Sequence, residues 1–314
     1  MRILIWHVHG SWTTAFVQGG HDYLIPLTAG RGPDGRGRAR TWDWPPAAIE
    51  LTREQLADAD ADVDLVVLQR PHELEGLAEE WLGGRRPGRD IPAVYVEHNA
   101  PQGRIAEMRH PAADRPDLVL VHVTHFNDLF WDAGSTPTRV IEHGIVDPGY
   151  RYSGELARAA VVINEPGRRG RVTGTDLLPR LDGRVPIDLF GIGAAALGGR
   201  EDVRQDELHG EMARRRAYLH PIRWTSLGLS LIEAMQLGMP VVALATTEAP
   251  IAVPPAAGVL STDVEELRAG LRRLIDDPDE ARERGRAART AALERFGLER
   301  FLAQWNELIE EVAG

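Results

Sequence analysis

The feature that most constrains this chain is an alternation that runs along most of its length. Short apolar runs rich in β-branched residues are followed by segments with helical periodicity, then by another apolar run. Ile3–Val8, Tyr23–Leu27, Asp64–Leu68, Ala93–Val96, Leu118–Val121 and Arg139–Ile141 read as buried strands. Between them, Thr52–Ala59 reads as a helix capped by Thr52, and Glu73–Leu82 as a helix that puts Leu74, Leu77, Ala78 and Trp81 on one face. Strand followed by helix, repeated, predicts a doubly wound parallel sheet.

After Gly144-Ile145-Val146-Asp147-Pro148-Gly149 the rhythm restarts. Ala160–Ile163, Ile187–Phe190, Ala217–Leu219 and Val241–Ala245 read as strands, and Thr175–Leu181 and Leu229–Leu237 as helices. Three further helices close the chain, at Val264–Ile275, Pro278–Glu294 and Leu298–Val312. We therefore expect an α/β protein of two Rossmann-like domains, 1–149 and 150–294, followed by a C-terminal helix at 295–314. Their parallel sheets should face a central cleft, since such sheets bind ligands at the carboxyl ends of their strands. The run Gly30–Arg38, dense in glycine and arginine, reads as a mobile loop.

With 314 residues, 43% of them hydrophobic, there is ample material for two cores. No cysteine is present, which excludes disulfides, thiolate metal sites and a cysteine nucleophile and fits a cytoplasmic protein. All 36 basic residues are arginine, so no lysine is available for Schiff-base chemistry or for a phosphate loop. The net charge of −11 argues against a nucleic-acid partner. No segment has the pattern of a signal peptide or the length of a membrane-spanning helix, so stable membrane insertion is not expected.

The chemistry concentrates in a few segments. In the first, Tyr218–Val242, the loop Thr225-Ser226-Leu227-Gly228 leads into a helix starting at Leu229, whose free N–H groups and positive end suit a diphosphate. Glu233, one turn in, is placed to accept hydrogen bonds from a ribose diol. In the second, Val161–Leu178, Arg168, Arg169 and Arg171 crowd a loop that ends near Thr173. In the first domain, Gly10 and Ser11 follow the first strand, where glycine permits close approach and Ser11 is a candidate helix cap. His7 and His9 alternate on that run and so should share a face, but no third ligand has metal-site spacing. The strand Ala93–Val96 ends in Glu97-His98-Asn99, with Glu97 and Asn99 as candidate orienting groups. His125 and His143 are further cleft candidates, as are Thr246-Thr247-Glu248. Trp42 and Trp44 read first as packing residues.

Pro221, Gly228, Leu229, Glu233, Ala234, Met235, Gly238, Pro240, Val241 and Val242 fall in register with the signature of glycosyltransferase family 4, the large GT-B group of nucleotide-sugar-dependent transferases, which this chain resembles. The resemblance implies a retaining, metal-independent hexosyltransferase that moves a sugar from a nucleoside-diphosphate donor to an acceptor hydroxyl of a glycan, a lipid-linked precursor or a small metabolite, with no cofactor beyond the donor. It implies that the helix at 295–314 packs back on the first domain, and it implies catalytic roles for His98 and Glu233, and for Thr225 where the family has a second glutamate. It also implies donor contacts from Gly10, Ser11, Arg168, Arg169, Arg171, Thr173, Ser226, Leu227, Gly228, Leu229 and Glu233, with Thr173 standing at the family's lysine and the arginines replacing it. The alternatives are a catalytically impaired nucleotide-sugar-binding partner and a sugar-nucleotide epimerase of the same fold.

Overall fold

A computed structural model describes residues 1–58, 62–182 and 185–314. It divides into two compact units, one made of Met1–Val146 and Leu298–Gly314, the other of Asp147–Gly297.

The first unit is built on a seven-stranded sheet. Its strands are β1 (Arg2–Ile5), β2 (Asp22–Pro26), β3 (Ala48–Leu51), β4 (Leu65–Leu68), β5 (Ala93–Glu97), β6 (Val119–His122) and β7 (Thr138–Val140). The order is β3-β2-β1-β4-β5-β6-β7, and every pairing is parallel. All residues of β4 and β5 are buried, as strands covered on both faces must be. β3, which the sequence pattern missed, is an edge strand with Ile49 exposed, and it follows closely on Pro45-Pro46.

Helices α1 (Gly10–Phe16), α2 (Arg53–Asp58), α3 (Ala78–Trp81) and α4 (His125–Phe130) connect these strands. Thr52 caps α2 as anticipated, accepting from the Gln55 N–H at 3.3 Å while the Gln55 side chain accepts from the Thr52 N–H at 2.8 Å. Ala59, the last residue of the expected helix, lies outside the described residues. The expected helix Glu73–Leu82 is broken: Glu73–Leu77 forms a wide turn in which Gly76 leaves helical geometry, and only α3 continues. The Gly30–Arg38 run is also tied down rather than loose. Glu50 accepts from both Arg31 guanidinium nitrogens at 2.9 and 3.1 Å and from the Arg38 N–H at 2.6 Å. Arg38 in turn donates to the carbonyls of Trp44, Pro45 and Ala48. Bidentate arginine pairing and carbonyl capture offset the entropy that a glycine-rich stretch loses on ordering.

The second unit has five strands, β8 (Leu156–Val162), β9 (Ile187–Phe190), β10 (Arg215–His220), β11 (Val241–Leu244) and β12 (Gly258–Ser261), in the order β12-β11-β10-β8-β9, again all parallel. Helices α5 (Gly170–Thr173), α6 (Leu178–Asp182), α7 (Gln205–Arg214), α8 (Leu229–Leu237), α9 (Ala249–Ala252), α10 (Val264–Asp276) and α11 (Pro278–Phe296) surround it. Its core joins Val161, Ile163, Leu219 and Val242 to Leu267, Leu271 and Leu274 of α10.

Helix α12 (Leu298–Ala313) returns to the first unit. Trp305 meets Trp12 and Phe16 edge to face at 5.7 and 4.9 Å, and Phe301 meets Trp12 at 6.1 Å. All four rings are buried, an apolar seat of the kind that dominates core energetics. Among the described residues no helix is long and apolar enough to cross a membrane.

Candidate functional site

Each sheet has one place where the strand order reverses, and loops leaving the carboxyl ends there diverge to opposite faces. In the first unit this point lies between β1 and β4, and in the second between β8 and β10. Gly10 and Ser11 follow β1, and the arginine loop and Thr225–Leu229 follow β8 and β10, whereas His98, His143 and Thr246–Glu248 follow other strands.

In the first unit, His98 follows β5 directly and is 6% exposed. Its Nε2 lies 2.9 Å from the side-chain oxygen of Gln69, whose amide nitrogen donates to the Trp6 carbonyl at 2.7 Å. With the amide oriented by Trp6, its oxygen faces the imidazole and assigns the His98 proton to Nε2, which donates. Gln69, just past β4, thus ties the ends of three strands to His98. The sequence analysis missed it; the signal was a polar Gln-Arg pair immediately following an apolar strand.

The His9 ring sits 4.2 Å and the Trp12 ring 4.9 Å from His98. His143 is 2% exposed, and neither of its ring nitrogens has a hydrogen-bond partner. Burial lowers all three histidines: His9 to about 4, His143 to about 3 and His98 well below the ordinary imidazole range. The cluster is therefore neutral at physiological pH.

Several first-unit expectations change. β1 stops at Ile5, so strand alternation does not carry on to His7 and His9. His7 Nδ1 donates to the Gly37 carbonyl at 2.9 Å and its ring lies on Trp44, while His9 turns to His98. Among the described residues no group of three or more His, Asp or Glu side chains is arranged to hold a metal. Ser11 is not the helix cap: His9 holds that position, without a side-chain cap bond, and Ser11 lies in the first turn. A Cβ on Gly10 would meet only the Trp42 indole nitrogen, at 3.6 Å, so the site does not demand glycine there. Glu97 is committed internally, accepting from the Asn99 N–H at 2.6 Å and facing His110 Nε2 at 2.9 Å. His125 is exposed at the start of α4, whose cap is Thr124.

In the second unit the loops after β8 and β10 are bonded to one another. The Arg223 N–H donates to the Val172 carbonyl at 2.9 Å, and the Arg223 guanidinium holds Asp176 and the Arg171 carbonyl. Gly174 makes this approach possible: its φ is +73°, and a Cβ would stand 1.9 Å from the Pro221 carbonyl oxygen. Gly228 caps α8, and a Cβ there would stand 2.5 Å from the buried His220 ring. The first turn of α8 carries no acidic side chain and no side-chain cap bond, so its dipole is not offset locally. Gly228 and Leu229 are half-buried, Ser226 and Leu227 buried, and Thr225 half-buried.

The arginines are distributed unevenly. Arg168 is exposed and bonded to Glu165 at 2.7 Å, Arg171 is exposed and lies 3.5 Å from Asp176, and Arg169 is half-buried. Thr173 is buried and donates to the Arg169 carbonyl at 3.1 Å, which makes it a brace of the loop. Glu233 is 2% exposed; its Oε2 accepts from Gln205 at 3.0 Å and lies 3.4 Å from His209 Nε2. Glu248 is buried and paired with Arg295 at 3.1 Å, while Thr246 donates to the Ile222 carbonyl.

Residues 201–291, which include α7, β10, α8 and the loop between them, match the family model described as glycosyl transferases group 1. This segment is similar to the group 1 glycosyltransferases. The fold around it agrees. The structure is similar to sucrose-phosphate synthase from Thermosynechococcus elongatus, with a TM-score of 0.73 at 15% identity over 99% of this chain and 98% of that one. It is also similar to HepE of Anabaena in complex with UDP, with a TM-score of 0.73 at 16% identity over 99% and 100%, and to a glycosyltransferase from Rickettsia africae, with a TM-score of 0.65 at 15% identity over 99% and 98%. At these identities the likeness shows the fold, which is GT-B. No curated protein matches the chain in sequence.

Proposed function

We propose that the protein is a retaining, metal-independent glycosyltransferase that takes a sugar from a nucleoside-diphosphate donor and gives it to an acceptor hydroxyl. The observation that carries this reading is the switch point of the second unit. There the N-terminus of α8, with Gly228 at its cap, lies within the group 1 segment and beside a loop rich in arginine. A diphosphate seated there gains hydrogen bonds from backbone N–H groups and charge from the helix end and Arg169 or Arg171. Ser226, Leu227 and Leu229 shape that loop, and Glu233 takes the ribose. As the sugar–phosphate bond breaks, negative charge grows on the leaving diphosphate, and the same groups stabilise it more than they stabilise the bound donor. His98, neutral and oriented by Gln69, serves the transferred sugar in the first unit. HepE was solved with UDP and UDP-glucose, so UDP-sugars are the first donors to test.

Thr225 favours one second reading, a nucleotide-sugar-binding partner without turnover, because a hydroxyl binds a sugar more weakly than a carboxylate does. A thermal-shift panel of nucleoside diphosphates and nucleotide sugars tests both, since a ligand of the native state raises its melting temperature by mass action. A shift with one diphosphate, followed by nucleotide release on adding an acceptor, supports the transferase. A shift without release under any acceptor supports the binding partner, and no shift at millimolar ligand overturns both.

A further inference from the structure

We infer that Gln205 and His209 are positioning residues that fix the Glu233 carboxylate for the donor ribose and so set the preference for ribonucleotides over deoxyribonucleotides. This rests on the reading of Glu233 as the ribose acceptor.

Glu233 is buried on α8, where a carboxylate is costly unless hydrogen bonds compensate it. Helix α7 supplies one of them. Gln205 and His209 are four residues apart and so share one face of α7, which packs beside α8. Gln205 Nε2 lies 3.0 Å from Glu233 Oε2 and 2.9 Å from His209 Nε2, and His209 Nε2 lies 3.4 Å from the same carboxylate oxygen.

An amide nitrogen has two hydrogens and accepts none, so both short contacts are donations by Gln205. His209 Nε2 is then the acceptor, and the imidazole carries its proton on Nδ1. His209 thus holds the Gln205 amide, and the amide holds Oε2.

The last torsion of a glutamate is a broad, nearly two-fold rotor. Anchoring Oε2 fixes the plane of the carboxylate, and a plane is what recognition of two neighbouring hydroxyls needs. With the anchor removed, the carboxylate still meets one hydroxyl but loses its advantage with a diol. Neither α7 residue needs to touch the ligand.

The test titrates the full-length protein with ADP, GDP, UDP and CDP and with their 2′,3′-dideoxy counterparts. In the unmodified protein the ribose form of the accepted base should bind about tenfold tighter or more, as expected for hydrogen bonds to a charged acceptor. Gln205→Ala and His209→Leu should cut that preference below about threefold while leaving dideoxy affinity unchanged within about twofold. His209→Gln, which keeps an acceptor for the Gln205 amide, should restore it. That rescue separates positioning from loss of folding. Full preference in Gln205→Ala or His209→Leu, or failure of His209→Gln to restore it, overturns the inference while leaving Glu233 as the ribose acceptor. Equal binding of ribose and dideoxy forms by the unmodified protein overturns the reading of Glu233 itself, and binding of none of the four overturns the donor reading.

Discussion

In the first unit the candidate side chains His9, His98 and His143 are imidazoles kept neutral by burial, whereas those at the switch point of the second are arginines and carboxylates that neutralise one another near solvent. His9, His98 and His143 all have lowered pKa values, and neither ring nitrogen of His143 has a hydrogen-bond partner. Arg168, Arg171 and Arg223 each face Glu165 or Asp176. The same architecture thus yields two polar environments that differ in how exposed their side chains are. On the proposed function, a sugar at the first unit would complete hydrogen bonds that His143 leaves open. On the same reading a diphosphate at the second would displace weak, solvent-screened pairs, so its affinity should depend on salt where that of a neutral sugar should not.

The largest effect expected concerns stability. Trp305→Ala removes a buried ring that touches Trp12 and Phe16 and should cost about 3–5 kcal/mol in denaturant unfolding. A loss below about 1 kcal/mol would mean that α12 is not integral to the first unit. Next, on the proposed function, His98→Ala should lower transfer about 100-fold while nucleoside diphosphate affinity stays within about twofold, because that reading seats the nucleotide on the other unit. Equal losses in both quantities would break the division of labour.

The acid limb sharpens the contrast further. An imidazole neutral in the native state takes up its proton only on unfolding, so stability is flat above pH 6.5 and falls as the pH drops toward 4. Each such histidine contributes a slope of at most about 1.4 kcal/mol per pH unit. His143→Gln should flatten that limb measurably between pH 6 and 4, and an unchanged slope would mean that His143 is already protonated in the native state. The smallest effect is expected for Arg168→Gln, exposed and paired with Glu165, which should cost less than about 1 kcal/mol in diphosphate binding. A larger loss would make Arg168, not Arg169 or Arg171, the principal phosphate contact.

The doubly wound plan was legible because buried parallel strands are uniformly apolar, as in Leu65–Leu68 and Val241–Leu244. The three C-terminal helices were legible too, within one or two residues at each end, since Asp263 and Asp277 cap two of them and Gly297 interrupts the third boundary. Edge strands β3 and β12 were not, being short and only partly buried. The site was legible as a set of segments but not as a set of partnerships. Glu97 looked like an open carboxylate because His110, which engages it, lies thirteen residues further along. Gln69 and Gln205 were invisible for the same reason: each acts through a contact across the fold, and no local pattern encodes that.

The return of α12 to the first unit bears on how the protein is made. The seven strands of that unit leave the ribosome first, yet the aromatic seat formed by Trp12 and Phe16 is filled only when Phe301 and Trp305 emerge, roughly 150 residues later. At usual rates of synthesis that wait is on the order of ten seconds, during which the first-made sheet carries an uncovered apolar surface. The second unit, continuous in sequence, can mature in the interval. The earliest part of the chain is then the last to be completed, and its exposed indole and phenyl rings are the natural place for a chaperone to hold it.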